Sequence, residues 1–242
     1  MPIESLRALL QAHPAAGVAG ALVAVAMLAA LVLWLPGKLI DAASERMASK
    51  RPLDDAERAL LALAAPYARV HEMTDAHLGG FPAGERQRVW NVLARDWNIH
   101  GTRAKKHTLA LEQLDWLLAE GDRSDPELPA RVPSDALPAV QRALLAWDAS
   151  RLIHVARLCF FAGYIDEATA WLHVRAAAAL IAPHFRTYAD FGRAFLEGRA
   201  LSVGQSEPAL DAAVASLEKE ASSPWQVLSF REVVKLRALA QA

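Results

Sequence analysis

The sequence predicts an all-α protein with one N-terminal transmembrane helix followed by a multi-helix globular domain. Three observations lead to this prediction. An apolar segment without a charged side chain runs from Ala15 to Leu35. The rest of the chain repeats apolar residues at spacings of three and four, which is typical of helices, and has no alternating pattern of useful length that would indicate strands. Capping residues and Gly or Pro breaks separate the repeats.

The apolar segment has the length of a bilayer-spanning helix. Its 21 residues would extend about 30 Å, one hydrocarbon core. Trp34 suits the membrane interface and Pro36 ends the segment. We therefore divide the chain into a short tail (1–14), a transmembrane helix (15–36), a charged connector (37–52) and a helical domain (53–242).

A cleaved signal peptide is the alternative to a retained anchor. The apolar segment is longer than a usual signal-peptide core, and the sequence that follows it, LWLPGK, is a poor cleavage site. Orientation follows from flanking cations: Arg7 alone precedes the helix, whereas four follow it, namely Lys38, Arg46, Lys50 and Arg51. This asymmetry predicts a single-pass protein of a bacterial inner membrane with its C-terminal domain in the cytoplasm.

Small residues recur at four-residue spacing within the predicted anchor. The pairs are Gly17/Ala21 and Gly20/Ala24. Such a face permits close approach of two helices, so self-association through the membrane helix is possible. Because alanine is abundant throughout this segment, chance explains the spacing equally well.

Composition argues against several classes of function. The net charge is −1 and charges of both signs are interspersed, so the polyanion-binding signal of a nucleic-acid protein is absent. The single cysteine, Cys159, permits neither an intramolecular disulfide nor a thiolate metal cluster, and it lies on an apolar helix line as a core residue would. The sequence contains no HExxH, GxSxG or P-loop motif. We predict no metal and no cofactor.

The first half of the domain contains three predicted helices. Asp54 or Asp55 opens one that Pro66 interrupts. A second follows the turn at Gly79–Pro82 and extends to Gly101. Thr102 caps a third that ends at Gly121, and residues 122–133 read as a loop because three prolines and several acids show no period.

The second half is more regular. A long helix is predicted over 137–162, with Gly163 as its stop. Asp166 is placed to cap the next helix, and Thr187 opens another. Gly198 in the middle of that helix suggests close packing of another backbone. Two further helices are predicted near 208–220 and 225–239.

Asp148 is the most informative polar residue. It occupies an apolar line of the long helix between Leu145 and Leu152, where burial is costly unless the carboxylate is paired. Arg151 or Arg199 could supply the partner. Three interpretations stay open: an ion pair that fixes helix register, the floor of a small pocket, or a solvent-facing carboxylate. His154 reads as an ordinary surface or core residue.

Several short motifs together resemble a bacterial family known as domain of unknown function 1266, over roughly residues 85–230. The motifs are AWDASR at 146–151, AGYIDE at 162–167 and LEGR at 196–199, with earlier matches at 97–99 and 114–121. The resemblance implies an all-helical domain without an established activity, and it singles out Asp148, Arg151, Asp166 and Arg199.

Two functions therefore remain as hypotheses. The first is a non-enzymatic module that binds a protein partner at the membrane. The second is an enzyme or small-ligand binder that uses Asp148, Arg151 and Arg199, with Tyr164 and Asp166 at the adjoining turn. A cluster that closes on itself favours the first, and a cluster that opens into a cavity favours the second.

Overall fold

A computed structural model describes residues 51–82 and 84–239 of the chain, which belong to a single compact unit. The all-α prediction is confirmed for these residues, which form helices and no strand. The helices are α1 Asp55–Leu61, α2 Ala65–Val70, α3 Arg86–Asp96, α4 Arg103–Ala119, α5 Leu128–Arg131, α6 Leu137–Ala162, α7 Glu167–Ile181, α8 Tyr188–Val203, α9 Pro208–Lys219, α10 Pro224–Val227 and α11 Arg231–Leu239. Two 3₁₀ turns, Ala62–Ala64 and Asp122–Ser124, complete them.

Helix α6 forms the centre of the domain. It packs against α8, α7, α4 and α3. From Ala143 to Ala162 every residue except Arg151 is buried. This stretch presents no solvent face, which explains why most of its residues are apolar.

The predicted helix boundaries are largely confirmed by the capping geometry. Asp54 caps α1 within a capping box that includes Glu57. The side chains of Thr102, Asp166 and Thr187 accept N–H bonds at the starts of α4, α7 and α8. Gly163 ends α6 in the left-handed conformation, with φ 77°.

Gly198 lies where α8 crosses α6. A Cβ atom at this position would be 2.1 Å from the carbonyl oxygen of Ala143 and 2.9 Å from the Cβ of Trp147. The predicted close approach of another backbone is therefore confirmed. Only glycine allows this separation of the two helices.

Three predicted boundaries were wrong. Helix α3 ends at Asp96 and not at Gly101, because Trp97 leaves the helical region and Asn98 adopts a left-handed φ of 54°. The segment 122–133 contains the second 3₁₀ turn and α5. The C-terminal helix is broken between α10 and α11, where Leu228 is extended, with ψ 145°.

No helix in the described part of the chain is both long enough and apolar enough to cross a bilayer. The predicted transmembrane helix, residues 15–36, and the connector before Arg51 lie outside the described residues. The described domain begins at Arg51, whose guanidinium contacts Glu57 at 2.6 Å and Glu167 at 3.1 Å.

Candidate functional site

Asp148 is fully buried, as its position on the apolar line predicted. Its carboxylate accepts four hydrogen bonds. The backbone N–H groups of Asp122 and Arg123 donate over 3.1 Å and 3.2 Å, one to each oxygen. The guanidinium groups of Arg123 and Arg151 donate over 3.1 Å and 2.5 Å, again one to each oxygen. Every oxygen of the carboxylate is thus paired with two donors, which offsets the cost of removing its charge from water.

The two arginines hold the carboxylate from opposite sides. Arg123 also donates to the carbonyl oxygens of Leu117 and Leu118, at 3.0 Å and 2.5 Å, near the end of α4. Arg151 lies one turn after Asp148 on α6 and contacts Asp122 at 2.9 Å. Its guanidinium lies 4.8 Å from the centre of the Trp147 ring. The cluster therefore ties α4, the second 3₁₀ turn and α6 together.

Asp122 is the second carboxylate of the cluster and is partly exposed. It accepts hydrogen bonds from Ser202 and from the Trp147 indole, and it pairs with Arg151. Burial raises the pKa of this carboxyl, but the hydrogen bonds from Ser202, Arg151 and Trp147, together with the Arg151 charge, outweigh burial and lower the pKa below its ordinary value. Asp122 is consequently ionised at neutral pH.

Gly121 makes the approach to Asp148 possible. Its φ is 60°, and an added Cβ would lie 2.3 Å from Oδ2 of Asp148. A larger residue would be strained in this backbone conformation and would also push the carboxylate away. The glycine thus serves the cluster as well as the end of α4.

The remaining predicted residues lie apart from Asp148. Arg199 donates to the carbonyl oxygen of Gln205 and pairs with Glu207 at 2.7 Å. Asp166 is exposed and accepts the N–H of Thr169 as the cap of α7. Tyr164 is buried, and its hydroxyl has no hydrogen-bond partner among the described residues. Of the predicted set, the structure brings together only Asp148 and Arg151.

An open cleft of about 590 Å³ adjoins the cluster. We call it the Trp116 cleft. Its lining includes Trp116, Glu120, Asp122, Leu128, Leu201 and Ser202. Asp148 and Arg151 do not line the cleft, because they are covered by the residues that do. Asp122 is the carboxylate of the cluster that lines the cleft.

Two further polar groups are buried on α6: His154, which the sequence interpretation left as an ordinary surface or core residue, and Arg157, which it did not consider. His154 is stacked on Tyr67, with ring centres 4.5 Å apart, and on His71 at 5.3 Å. Arg157 is 1% exposed and donates to the carbonyl oxygens of Leu78 and Thr74. Neither lies on the apolar line that identified Asp148.

Burial changes the acid–base behaviour of these groups. It is the main reason that the pKa of His154 lies well below its ordinary value, and the charges of His71 and Arg157 lower it further. Burial also lowers the pKa of Arg157 to about 10, which leaves this side chain cationic at neutral pH. Cys159, a buried thiol, has its pKa raised by the same cause.

The Asp148 cluster has the properties of a structural centre. Its carboxylate has no free oxygen with which to accept a proton from a substrate, and its two arginines are engaged by protein groups. Among the described residues, no group of three or more His, Cys, Asp or Glu side chains is placed to hold a metal ion.

The comparison with protein families confirms the resemblance inferred from the sequence. A family described as "Protein of unknown function (DUF1266)" matches residues 130–230. This range includes Asp148, Arg151, Tyr164, Asp166 and Arg199, but not residues 85–129, where earlier similarity was predicted. No curated protein and no solved structure matches the chain.

Proposed function

We propose that this chain is a membrane-anchored protein-interaction module whose helical domain lies on the cytoplasmic face of a bacterial inner membrane. One observation carries the proposal. Asp148 and its two arginines, which could have formed a reactive site, are hydrogen-bonded to one another, whereas the adjoining Trp116 cleft exposes apolar side chains to solvent. A surface of this kind serves recognition without requiring chemistry.

The buried cluster supports the proposal through its effect on the cleft. Asp148 holds the backbone of Asp122 and Arg123, and Asp122 forms part of the cleft wall. An irregular segment that is fixed in this way loses little conformational freedom when a partner binds. The arrangement therefore favours a preformed recognition surface.

The anchor and its orientation rest on the sequence. The apolar segment 15–36 and the four cations that follow it support a retained helix with the domain inside the cell. Tethering would raise the effective concentration of the domain toward partners in the same membrane. Self-association through the Gly17/Ala21 face remains a further possibility of the same helix.

Two unpartnered groups favour a small-ligand site as the second candidate function. The Nε of Arg151 and the hydroxyl of Tyr164 are buried without hydrogen-bond partners in the described residues. The volume of the Trp116 cleft lies within the range of small-molecule sites. Against this candidate, Asp148 and Arg151 stand outside the cleft lining, and Arg199 is occupied by Gln205 and Glu207.

Crosslinking followed by affinity purification of the full chain from native membranes tests the proposal. We expect a protein that co-purifies in near-equal amount. Recovery of the chain alone, from membranes in which it is abundant, would contradict the interaction module and support the ligand candidate.

Protease treatment of intact spheroplasts tests the orientation. We expect residues 38–242 to be protected until the spheroplasts are lysed. Digestion of the domain from the periplasmic side would contradict the cytoplasmic placement, and release of the chain by a high-salt wash would contradict the anchor.

A further inference from the structure

Two of the five exposed large apolar side chains of the described residues line the Trp116 cleft. Trp116 is 37% exposed and Leu201 is 46% exposed, and both line the cleft. Val203, 48% exposed, follows two residues after Leu201 at the end of α8. Scattered apolar residues are ordinary on a protein surface, but Trp116 and Leu201 share one cleft, which indicates a contact site.

The segment that borders the cleft is acidic. Residues 112–135, which form the end of α4 and the segment up to α6, contain seven acidic residues and two arginines, a net charge of −5. The whole chain carries only −1. The acidic residues are Glu112, Asp115, Glu120, Asp122, Asp125, Glu127 and Asp135. Three of them, Glu120, Asp122 and Asp125, line the cleft together with Arg131. Asp122 and Asp125 are paired with Arg151 and Arg131, so Glu120 is the lining carboxylate that has no side-chain partner among the described residues.

Helix α4 carries its charges against its own dipole. Its first turn holds Arg103 and Lys105, with no acidic residue, and its last turn holds no basic residue and is followed by Glu120. Helices are stabilised by the opposite arrangement, with acids at the start and bases at the end. The acidic groups at this end thus do not stabilise α4 through its dipole.

Trp116 and Glu120 are placed to receive a cation together. Glu120 follows the last turn of α4, to which Trp116 belongs, and both residues line the cleft. A lysine or arginine binds favourably over an indole face. The Arg151 guanidinium already lies 5.9 Å from the centre of the Trp116 ring, so this ring contacts one cation of the protein and Glu120 supplies the carboxylate for a second. The apolar wall that contains Leu128 and Leu201 then fits the apolar face of the same ligand.

We infer that the Trp116 cleft binds a basic amphipathic segment of a partner protein, with its cationic side chains on Glu120 and Trp116 and its apolar side chains on Leu201 and Leu128. The inference rests on the proposed function as an interaction module and names the chemistry of its partner. An anionic lipid surface or a nucleic acid does not fit the cleft, since residues 112–135 would repel both.

Peptide binding to the full chain in neutral detergent micelles tests the inference. The probes are two labelled peptides of 18 residues with the same leucine face, one with lysine and one with glutamate on the polar face. Fluorescence anisotropy is read against protein-free micelles. We expect the lysine peptide to bind at least about tenfold more tightly than the glutamate peptide, with an affinity that falls as salt rises.

Matched variants locate the binding site. Trp116→Ala and Glu120→Lys should each lower the affinity for the lysine peptide at least about tenfold, as expected for the loss of an aromatic anchor or the reversal of a contacting charge. Asp55→Lys makes the same change in net charge at a carboxylate on α1 that is 84% exposed, and Leu172→Ser removes an exposed apolar residue of α7. Both controls should leave binding unchanged.

Other outcomes overturn the inference in distinguishable ways. Equal binding of both peptides would reject the basic chemistry, and equal effects of cleft and control variants would reject the location. Loss of a dimer in Trp116→Ala by sedimentation would make a second copy of this chain the occupant. If the partner recovered from native membranes is still retained by Glu120→Lys, the cleft assignment fails while the proposed function stands.

Discussion

Replacement of Asp148 by asparagine should destabilise the domain by about 3–5 kcal/mol, the cost of breaking a buried charge pair from one side. The substitution preserves size and shape. It replaces one carboxylate oxygen with an NH₂ group, and each oxygen currently accepts one backbone N–H and one guanidinium N–H. In either orientation of the amide, its NH₂ group would face the backbone N–H and the guanidinium N–H that now donate to the carboxylate oxygen at that position.

The surrounding contacts should keep the loss of folding free energy within about 3–5 kcal/mol. Hydrogen bonds to a charged group contribute about 1.5–3 kcal/mol each, and two of the four are lost. Arg151 keeps its contact with Asp122, and Arg123 keeps its bonds to Leu117 and Leu118. Neither guanidinium is therefore left without a partner, and the penalty stays below that of an isolated buried charge.

Asp166→Asn is the matched control. Asp166 is exposed and accepts one backbone N–H as the cap of α7. Asparagine is as good an N-cap as aspartate, so this identical substitution should change stability by less than about 0.5 kcal/mol. The free energy of unfolding of both variants is measured by urea denaturation of the unit 47–242, monitored by circular dichroism. In a thermal scan the Asp148 variant should melt about 6–20 °C lower. Equal midpoints for Asp148→Asn and the parent would refute the structural role of the cluster.

Three further predictions follow from the packing. Gly198→Ala should destabilise the domain by about 1–3 kcal/mol despite its better helix propensity, because the new methyl group meets the Ala143 carbonyl; a midpoint equal to or above the parent's would contradict it. Since the folded pKa of His154 lies below its unfolded value, the unfolded state takes up the proton first, and stability should fall as pH drops below about 6.5, by up to about 1.4 kcal/mol per pH unit. His154→Phe should reduce that slope, and an unchanged slope would show that other groups cause it. Cys159 should resist thiol reagents at pH 8 until the domain unfolds, so rapid labelling of the native protein would show that its burial is wrong.

The sequence predicted those features that follow from local rules. Helix caps at Thr102, Asp166 and Thr187 depend on side chains that bond to neighbours three residues away, and each was found. The burial of Asp148 followed from the spacing of apolar residues along α6. The choice of Arg151 as a partner followed from the three-residue spacing along the helix.

The rest depended on packing between distant segments. A single apolar line assumes one buried face, but α6 is surrounded, so residues off the line such as His154 and Arg157 are buried as well. Arg123 lies in a segment without periodicity, and nothing local indicates that its backbone and side chain both reach Asp148 from 25 residues away. The Arg199 pairing with Glu207 likewise depends on how the chain turns after α8.

Two side chains of opposite charge on the long helix α6 form hydrogen bonds to two irregular segments. The Asp148 carboxylate accepts the backbone N–H groups of residues 122 and 123. The Arg157 guanidinium, about 14 Å further along the helix, donates to the carbonyl oxygens of residues 74 and 78. Surface segments usually open independently of the core and exchange their amide hydrogens quickly. Here the amides of residues 122 and 123 are bonded to a fully buried carboxylate of the central helix. They should therefore exchange with solvent deuterium as slowly as the interior of α6, which makes the wall of the Trp116 cleft part of the cooperative unit that sets the lifetime of the folded domain.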